Sequence, residues 1–469
     1  KLGKLIYIFD DNNISIDGSV DKVSITDQKK KFESFGWQVL EVDGHNEIEI
    51  KNAIDLSKEE TNKPSLIIAK STIGKFAPNK QNTSSIHGAP LGNEEMKLFF
   101  DEIGWEGDPF DHSDDVYDYF AEKRLKDNKS FEKWKSNLDN KLKNDGSFKK
   151  LWEQFEKNEL SFPESFEIQE AATRVTGGNY LKLIGLENKF VLGGSADLAA
   201  STKQIISEES YTSENRHGQN IEFGIREHSM AAVVNGISLH SNLFSFGSTF
   251  LVFSDYMRPS IRLASLMNLN SAYIFTHDSI YLGEDGPTHQ PVEHLMSLRL
   301  IPGLDVIRPS NSIETIYAYK YLFSNTKNPK VLSLTRQNLK FLDYDVDYSD
   351  FLNGGFIISK GEDLTIFASG SEVNLALEIK ETLKEYSVQI VSVPILNKLT
   401  PKISESLNNN KLTFTIELGK AAGWSDYIGN ITESFSVQTF GKSAPENDLA
   451  EFFKFNAESI GIKIRNYLG

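Results

Sequence analysis

Cysteine is absent from the 469 residues, which removes disulfides, thiolate zinc sites and cysteine nucleophiles and leaves the compartment undecided. Long apolar runs are also missing. No stretch approaches about 18 residues, so no transmembrane helix is expected. Positive charge is scarce: 50 Lys and Arg stand against 66 Asp and Glu, a formal net charge of -16. That balance argues against nucleic acid or an anionic membrane as partner. It leaves room for a small phosphorylated substrate held by a few local Arg and His residues. There is no short-period repeat and no low-complexity tract. The segment Leu5-Ile6-Tyr7-Ile8-Phe9 reads as a short strand followed at once by acids, not as a signal peptide.

What is present describes a large globular α/β chain. Its length suggests roughly three domains. A hydrophobic fraction of 39% with 31 Phe allows full cores. Residues 1 to 105 alternate buried strands (5–9, 38–42, 66–69) with helical spacing (26–35, 48–58), a βαβ series with a parallel sheet. Residues 111–160 are dense in Lys, Asp, Glu and Asn, with Trp134, Leu138, Leu142, Phe148, Trp152 and Phe155 as sparse anchors, and read as a surface helical linker. A second βαβ series runs from about 167 to 342, and a third starts at 364–368 and includes 388–393 and 412–416. The expected division is a first domain over 1–110, a linker over 111–165, a second domain over 166–345 and a C-terminal α/β domain over 346–469.

The densest chemistry lies in one loop. Thr276-His277-Asp278-Ser279 continues through Gly283-Glu284-Asp285-Gly286-Pro287-Thr288-His289-Gln290-Pro291. The apolar segment 271–275 before it reads as a buried strand, and a helix is expected to begin near Val292. A strand-to-helix loop of this kind lies at the carboxyl end of a parallel sheet, where sites are built.

This stretch resembles transketolase, a thiamine-diphosphate enzyme family, and it does not stand alone. Phe9-Asp10-Asp11-Asn12-Asn13-Ile14-Ser15-Ile16-Asp17-Gly18 looks like the family's metal-binding segment. Ile86-His87-Gly88-Ala89-Pro90-Leu91-Gly92, Gly193-Gly194-Ser195-Ala196-Asp197-Leu198 and Gly224-Ile225-Arg226-Glu227-His228 follow in the family's order. So do Phe250-Leu251-Val252-Phe253-Ser254-Asp255-Tyr256 and Leu334-Thr335-Arg336-Gln337-Asn338. The similarity covers essentially the whole chain. It implies three α/β domains with mostly parallel sheets: two thiamine-diphosphate-binding folds and a C-terminal transketolase-type domain. It also implies a cytoplasmic homodimer with sites at the interface, acting on sugar phosphates in the pentose phosphate pathway. By the same comparison, the first half of the diphosphate-binding domain, with its Gly-rich loop and Asp metal ligand, is expected to lie outside these residues.

The resemblance assigns roles to residues that also have plainer readings. Asn12 and the backbone carbonyl of Ile14 offer hard oxygens for Mg²⁺ or Ca²⁺, although Asp-Asp-Asn-Asn also favours an ordinary Asx turn. Glu227 matches the acid beside the cofactor's pyrimidine nitrogen, while as a bare residue it reads as a helix N-terminal acid. Phe253 would stack on the pyrimidine, with Phe250 and Tyr256 lining the pocket, a spacing that also suits a core stripe. Asp197 matches a cofactor-side position. Arg174, Ser201, His277 and Arg336 match sugar-phosphate contacts. Asp285 matches the group holding the C2 hydroxyl. His289 and His87 match imidazoles that move protons near the carbonyl and the C1 hydroxyl; His87 reads alternatively as a turn residue before Gly88 and Pro90. Three departures stand out. Ser84 replaces a frequent second histidine. Tyr281 occupies a usually small position and could narrow the substrate channel or pack elsewhere. The residues before Gly423-Trp424 are looser than the family's third-domain signature. The rival readings are another thiamine enzyme, such as a dihydroxyacetone synthase or a deoxyxylulose-phosphate synthase, and a catalytically silent homologue or fragment acting as a binding subunit.

Overall fold

The computed structural model describes residues 2–167, 170–342, 344, 346–408 and 410–469. The chain divides at residue 138, inside the helix Asp114–Asn144, into two compact units.

The first unit is built on strand β1 (Ile6–Asp11), a short antiparallel pair β2 (Ile14–Ser15) and β3 (Gly18–Ser19), β4 (Gln38–Asp43) and β5 (Ser65–Lys70). β1, β5 and β4 form a parallel sheet in that order, as the alternation of strand and helix patterns predicts. Central β5 buries its first five residues, whereas edge strand β1 leaves Tyr7 and Ile8 exposed. The connecting helices start where the side chains say they should. Asp27 accepts from the Lys30 N–H to cap Gln28–Ser34, and Asn46 accepts from Ile48 and Glu49 to cap Glu47–Glu59. Val42, Ala53, Ile67 and Ala69 form the small core between sheet and helix.

The second unit holds two five-stranded sheets. β6 (Val191–Ser195), β7 (Phe244–Phe250), β8 (Ala272–Thr276), β9 (Asp305–Ile307) and β10 (Lys330–Leu334) run parallel in the order β6-β7-β8-β10-β9. β7, β8 and β10 are buried along their whole length, as a parallel sheet covered on both faces requires, although β7 places Ser245, Gly247, Ser248 and Thr249 among its phenylalanines. Helix Thr173–Glu187 packs Tyr180, Leu181 and Ile184 on one face with Phe246 and Leu332. Met230 and Val234 of helix Glu227–His240 join Met257, Ile261 and Tyr273 on the other. The second sheet consists of β11 (Phe356–Ser359), β12 (Leu364–Ala368), β13 (Val388–Ser392), β14 (Leu412–Glu417) and β15 (Glu433–Ser436). Its order is β11-β13-β12-β14-β15, with β11 antiparallel and the rest parallel. Among the described residues no helix is long and apolar enough to cross a membrane.

Candidate active site

Four neighbouring strands of the first five-stranded sheet end in a candidate residue. Asp197 follows β6, Phe250 closes β7, His277 follows β8 and Arg336 follows β10. Because these strands lie side by side and parallel, their carboxyl ends form one ledge, the place where open α/β sheets bind ligands. Two of the four bend there into the left-handed region, Asp197 at φ 62° and His277 at φ 58°. That conformation costs a residue with a Cβ roughly 1–2 kcal/mol and persists only where the surroundings over-determine it.

Arg174 enters from the first turn of helix Thr173–Glu187, and the start of that helix is stitched to the end of β10. Thr173 N–H donates to Thr335 Oγ1 at 3.0 Å, Thr335 N–H donates to Thr173 Oγ1 at 2.8 Å, and Ala172 N–H donates to Asn338 Oδ1 at 3.1 Å. The stitch sets Arg174 and Arg336 as neighbours. Arg174 Nη1 donates to the Ser201 carbonyl at 2.6 Å and to His277 Nε2 at 3.3 Å. Among the described residues its Nε is buried without a hydrogen-bond partner. Burial and the nearby Arg336 push the Arg174 guanidinium below its ordinary value, and Asp285 pulls it the other way.

His277 is almost fully buried. Burial first, then the charges of Arg174 and Arg336, and then His289, lower its pKa from 6.5 to about 3. The imidazole is therefore neutral. Its Nε2 faces the arginine donor, so the proton belongs on Nδ1, which lies 2.8 Å from Thr276 Oγ1 and donates to it. Two cations beside a neutral imidazole, with an unused guanidinium nitrogen, make a receptor for a compact anion.

An aromatic row adjoins this receptor. The His277 ring lies 3.7 Å from Phe250, Phe250 stacks on Phe253 at 5.9 Å and 7°, and Phe253 stacks on Tyr256 at 6.1 Å and 30°. His289 meets Phe253 edge-on at 5.5 Å. Phe250 is buried, Phe253 half-buried and Tyr256 exposed, so the row is anchored at one end and open at the other. Asp285 is exposed on the same loop as His289. Glu227 is half-buried at the first position of helix Glu227–His240, which packs beside β7. A flat aromatic face suits a flat heterocycle. Beside β6 opens a groove of about 1680 Å³ lined by Gly194, Ser195, Asp197 and Arg226 among others. Gly194 is forced there: a Cβ would sit 2.0 Å from the Ile221 carbonyl oxygen.

The remaining candidates lie in the first unit and are described within it. Asn12 forms the Asx turn: its Oδ1 accepts from Ile14 N–H at 3.0 Å. That leaves one lone pair on Asn12 Oδ1 and a carbonyl at Ile14, two hard oxygens of the six or so that Mg²⁺ or Ca²⁺ takes. Among the described residues no group of three or more His, Asp or Glu side chains could hold a metal. His87 is exposed just after the 3₁₀ turn Ser84–Ile86. Tyr281 packs elsewhere than the channel. Its ring lies against the second sheet's core and its hydroxyl donates to the Phe455 carbonyl at 2.5 Å.

The family descriptions match in series. "Transketolase, thiamine diphosphate binding domain" covers residues 1–160, "Transketolase, pyrimidine binding domain" covers 169–341, and "Transketolase-like TK C-terminal domain" covers 354–456. A transketolase of Bacillus subtilis is 38% identical over 99% of this chain and 73% of its own length. This chain belongs to the transketolase family. A transketolase of Staphylococcus aureus is likewise 38% identical, over 98% of this chain and 73% of the relative. Solved transketolases agree in three dimensions. That from Leishmania mexicana has a TM-score of 0.93 at 31% identity, over 99% of this chain and 71% of that one. The Pichia stipitis enzyme in complex with sedoheptulose 7-phosphate has a TM-score of 0.93 at 30% identity, over 98% and 71%. The chain is thus a thiamine-diphosphate-dependent ketol transferase with the transketolase fold of mostly parallel sheets. The stitch Thr173–Thr335–Asn338 lay beyond sequence reasoning. Thr335 and Asn338 flank Arg336 in a quoted motif, but nothing in their spacing ties them to Thr173.

Proposed function

We propose that the ledge on the second unit's first sheet is the donor and acceptor site. There a two-carbon ketol unit passes from a ketose phosphate to an aldose phosphate, as in the pentose phosphate pathway. When bound, thiamine diphosphate supplies the electron sink that lets the C2–C3 bond of the ketose break. The protein's own groups do the rest. Arg174 and Arg336 receive the sugar's terminal phosphate, with Ser201 and neutral His277 completing its hydrogen bonds. The single observation that carries this reading is Arg174: a partly buried cation beside Arg336, aimed at a neutral histidine, with one buried N–H unused.

Asp285 holds the C2 hydroxyl. His289 and His87 give and take protons near the carbonyl and the C1 hydroxyl, a task an imidazole performs as acid and as base. Phe253 would stack on the cofactor's pyrimidine, Phe250 and Tyr256 would line its pocket, and Asp197 would orient the thiazolium side. Glu227 would hold and move the proton at the pyrimidine ring nitrogen. Asn12 and Ile14 would give two oxygens to a divalent cation, Mg²⁺ or Ca²⁺. The proposal extends to a cytoplasmic homodimer with interfacial sites, and to a domain division at 1–110, 111–165, 166–345 and 346–469.

Product analysis of the complete protein tests the reaction. Xylulose 5-phosphate with ribose 5-phosphate, thiamine diphosphate and Mg²⁺ is expected to give a seven-carbon ketose phosphate and a three-carbon aldose phosphate. Product formed only with a non-phosphorylated acceptor would overturn the assignment in favour of a dihydroxyacetone synthase.

A further inference from the structure

The loop carrying His277, Asp285 and His289 is gripped from the second sheet's side. Arg308, at the end of β9, is fully buried. Its Nε donates to Asp278 Oδ2 at 2.8 Å, and its Nη1 donates to Glu372 Oε1 and to the Ser369 carbonyl, each at 2.8 Å. Glu372, also fully buried, is fixed in turn by the Leu418 N–H and by Ser371 Oγ. Gly370 at φ 63° leaves the room this needs, since a Cβ there would lie 2.7 Å from Arg308 Nε. The grip continues along the loop. Tyr281 hydroxyl reaches the Phe455 carbonyl, Ser443 Oγ donates to the Glu284 carbonyl at 2.8 Å, and Lys420 N–H donates to the Val292 carbonyl at 2.8 Å.

Asp278 directly follows His277, whose backbone is left-handed and whose imidazole must meet Arg174. A non-glycine residue stays in that conformation only if its neighbours hold it there. The two neighbours that hold it are Thr276 in β8 and Asp278 on Arg308. We propose that Glu372 and Arg308 are positioning residues for the donor phosphate: the C-terminal layer, through the Glu372–Arg308–Asp278 chain, keeps His277 in its left-handed conformation and so sets phosphate recognition. The proposal rests on His277 serving the phosphate, as proposed above. It gives the C-terminal domain a part in substrate selection beyond packing.

The test is kinetic and uses the complete holoenzyme. Glu372→Ala and Asp278→Asn are compared with wild type on xylulose 5-phosphate and on non-phosphorylated hydroxypyruvate. Each variant is expected to raise KM for the phosphorylated donor about tenfold, the low end of losing a charge-assisted contact. Turnover of hydroxypyruvate should stay within about twofold. Lys398→Met is the control. It removes another ion pair between the same layers, Lys398–Asp305 at 3.2 Å, whose two side chains, among the described residues, have no hydrogen bond to Asp278, Arg308 or Glu372. Equal losses on both donors, an unchanged KM, or the same donor split in Lys398→Met would overturn the proposal. If Glu372→Ala does not fold, Asp278→Asn decides alone. If neither folds, the chain of ions is a folding element and the proposal fails. Arg336→Ala separates the two readings: without a donor split there, the phosphate site itself is wrong. With a split there and none in Glu372→Ala, only the positioning role is wrong.

Discussion

Acidification should weaken the second unit through His277, and the size of the effect follows from its burial. In the unfolded chain this imidazole titrates near 6.5, and in the folded chain at about 3. The folded pKa is the depressed one, so below pH 6.5 the unfolded chain takes up the proton that the folded chain refuses. The stability contribution is fully present above 6.5 and is lost progressively as pH falls toward 3. Between pH 7 and pH 5 the loss is about 1.5 pK units, or about 2 kcal/mol. His277→Asn removes the titrating group while tolerating φ 58°, because Asn visits the left-handed region readily. Urea unfolding at the two pH values, followed by hydrogen exchange of the amides in β7, β8 and β10, reads the difference. The variant should lose about 2 kcal/mol less than wild type over that range. Parallel losses in both proteins would refute the burial argument. So would an imidazole resonance of His277 that titrates near pH 6 in the folded protein.

Two further predictions concern the same ledge. Arg336→Ala should raise KM for phosphorylated donors by about 10- to 100-fold and leave hydroxypyruvate nearly untouched, because a charge-assisted contact contributes roughly 1.5–3 kcal/mol; steady-state kinetics with the two donors decides it. Thr335→Val should cost about 1–3 kcal/mol, because it strips the buried Thr173 N–H of its acceptor. A calorimetric melt within about 0.5 kcal/mol of wild type, the range of a neutral surface change, would show that the stitch contributes nothing to stability.

Much of this was legible in the residues because parallel sheets write themselves plainly. Segments such as Ala272–Thr276 and Leu364–Ala368 are short and mostly apolar, each with a single threonine, and the structure buries every residue of both. The polar loop after the first of them had to lie at a carboxyl edge, and it does. The aromatic spacing of Phe250, Phe253 and Tyr256 suited a core stripe or a pocket wall. The answer is graded: Phe250 is core and Tyr256 is surface. Asn12 shows the Asx turn that its composition favours, with a lone pair left over. What stayed illegible depends on partners far apart in the chain. Arg308 in a short Ile-Arg-Pro turn gives no sign that it will be buried between Asp278 and Glu372, 30 and 64 residues away. Tyr281 could be read as narrowing the channel or as packing elsewhere; it does the second, because its acceptor lies 174 residues on.

The acid at the head of helix Glu227–His240 is proposed to move the proton that readies the cofactor. Glu227→Gln in the complete protein, saturated with thiamine diphosphate and Mg²⁺, is the decisive variant. The helix and its packing on Met230 and Val234 should be unchanged, since Gln keeps the shape and the residue is only half-buried. Turnover of xylulose 5-phosphate with ribose 5-phosphate is predicted to fall by about 10²- to 10⁴-fold, the usual contribution of a positioned acid or base. Turnover within about twofold of wild type in the saturated enzyme would contradict it, because no proton transfer in the reaction would then depend on Glu227.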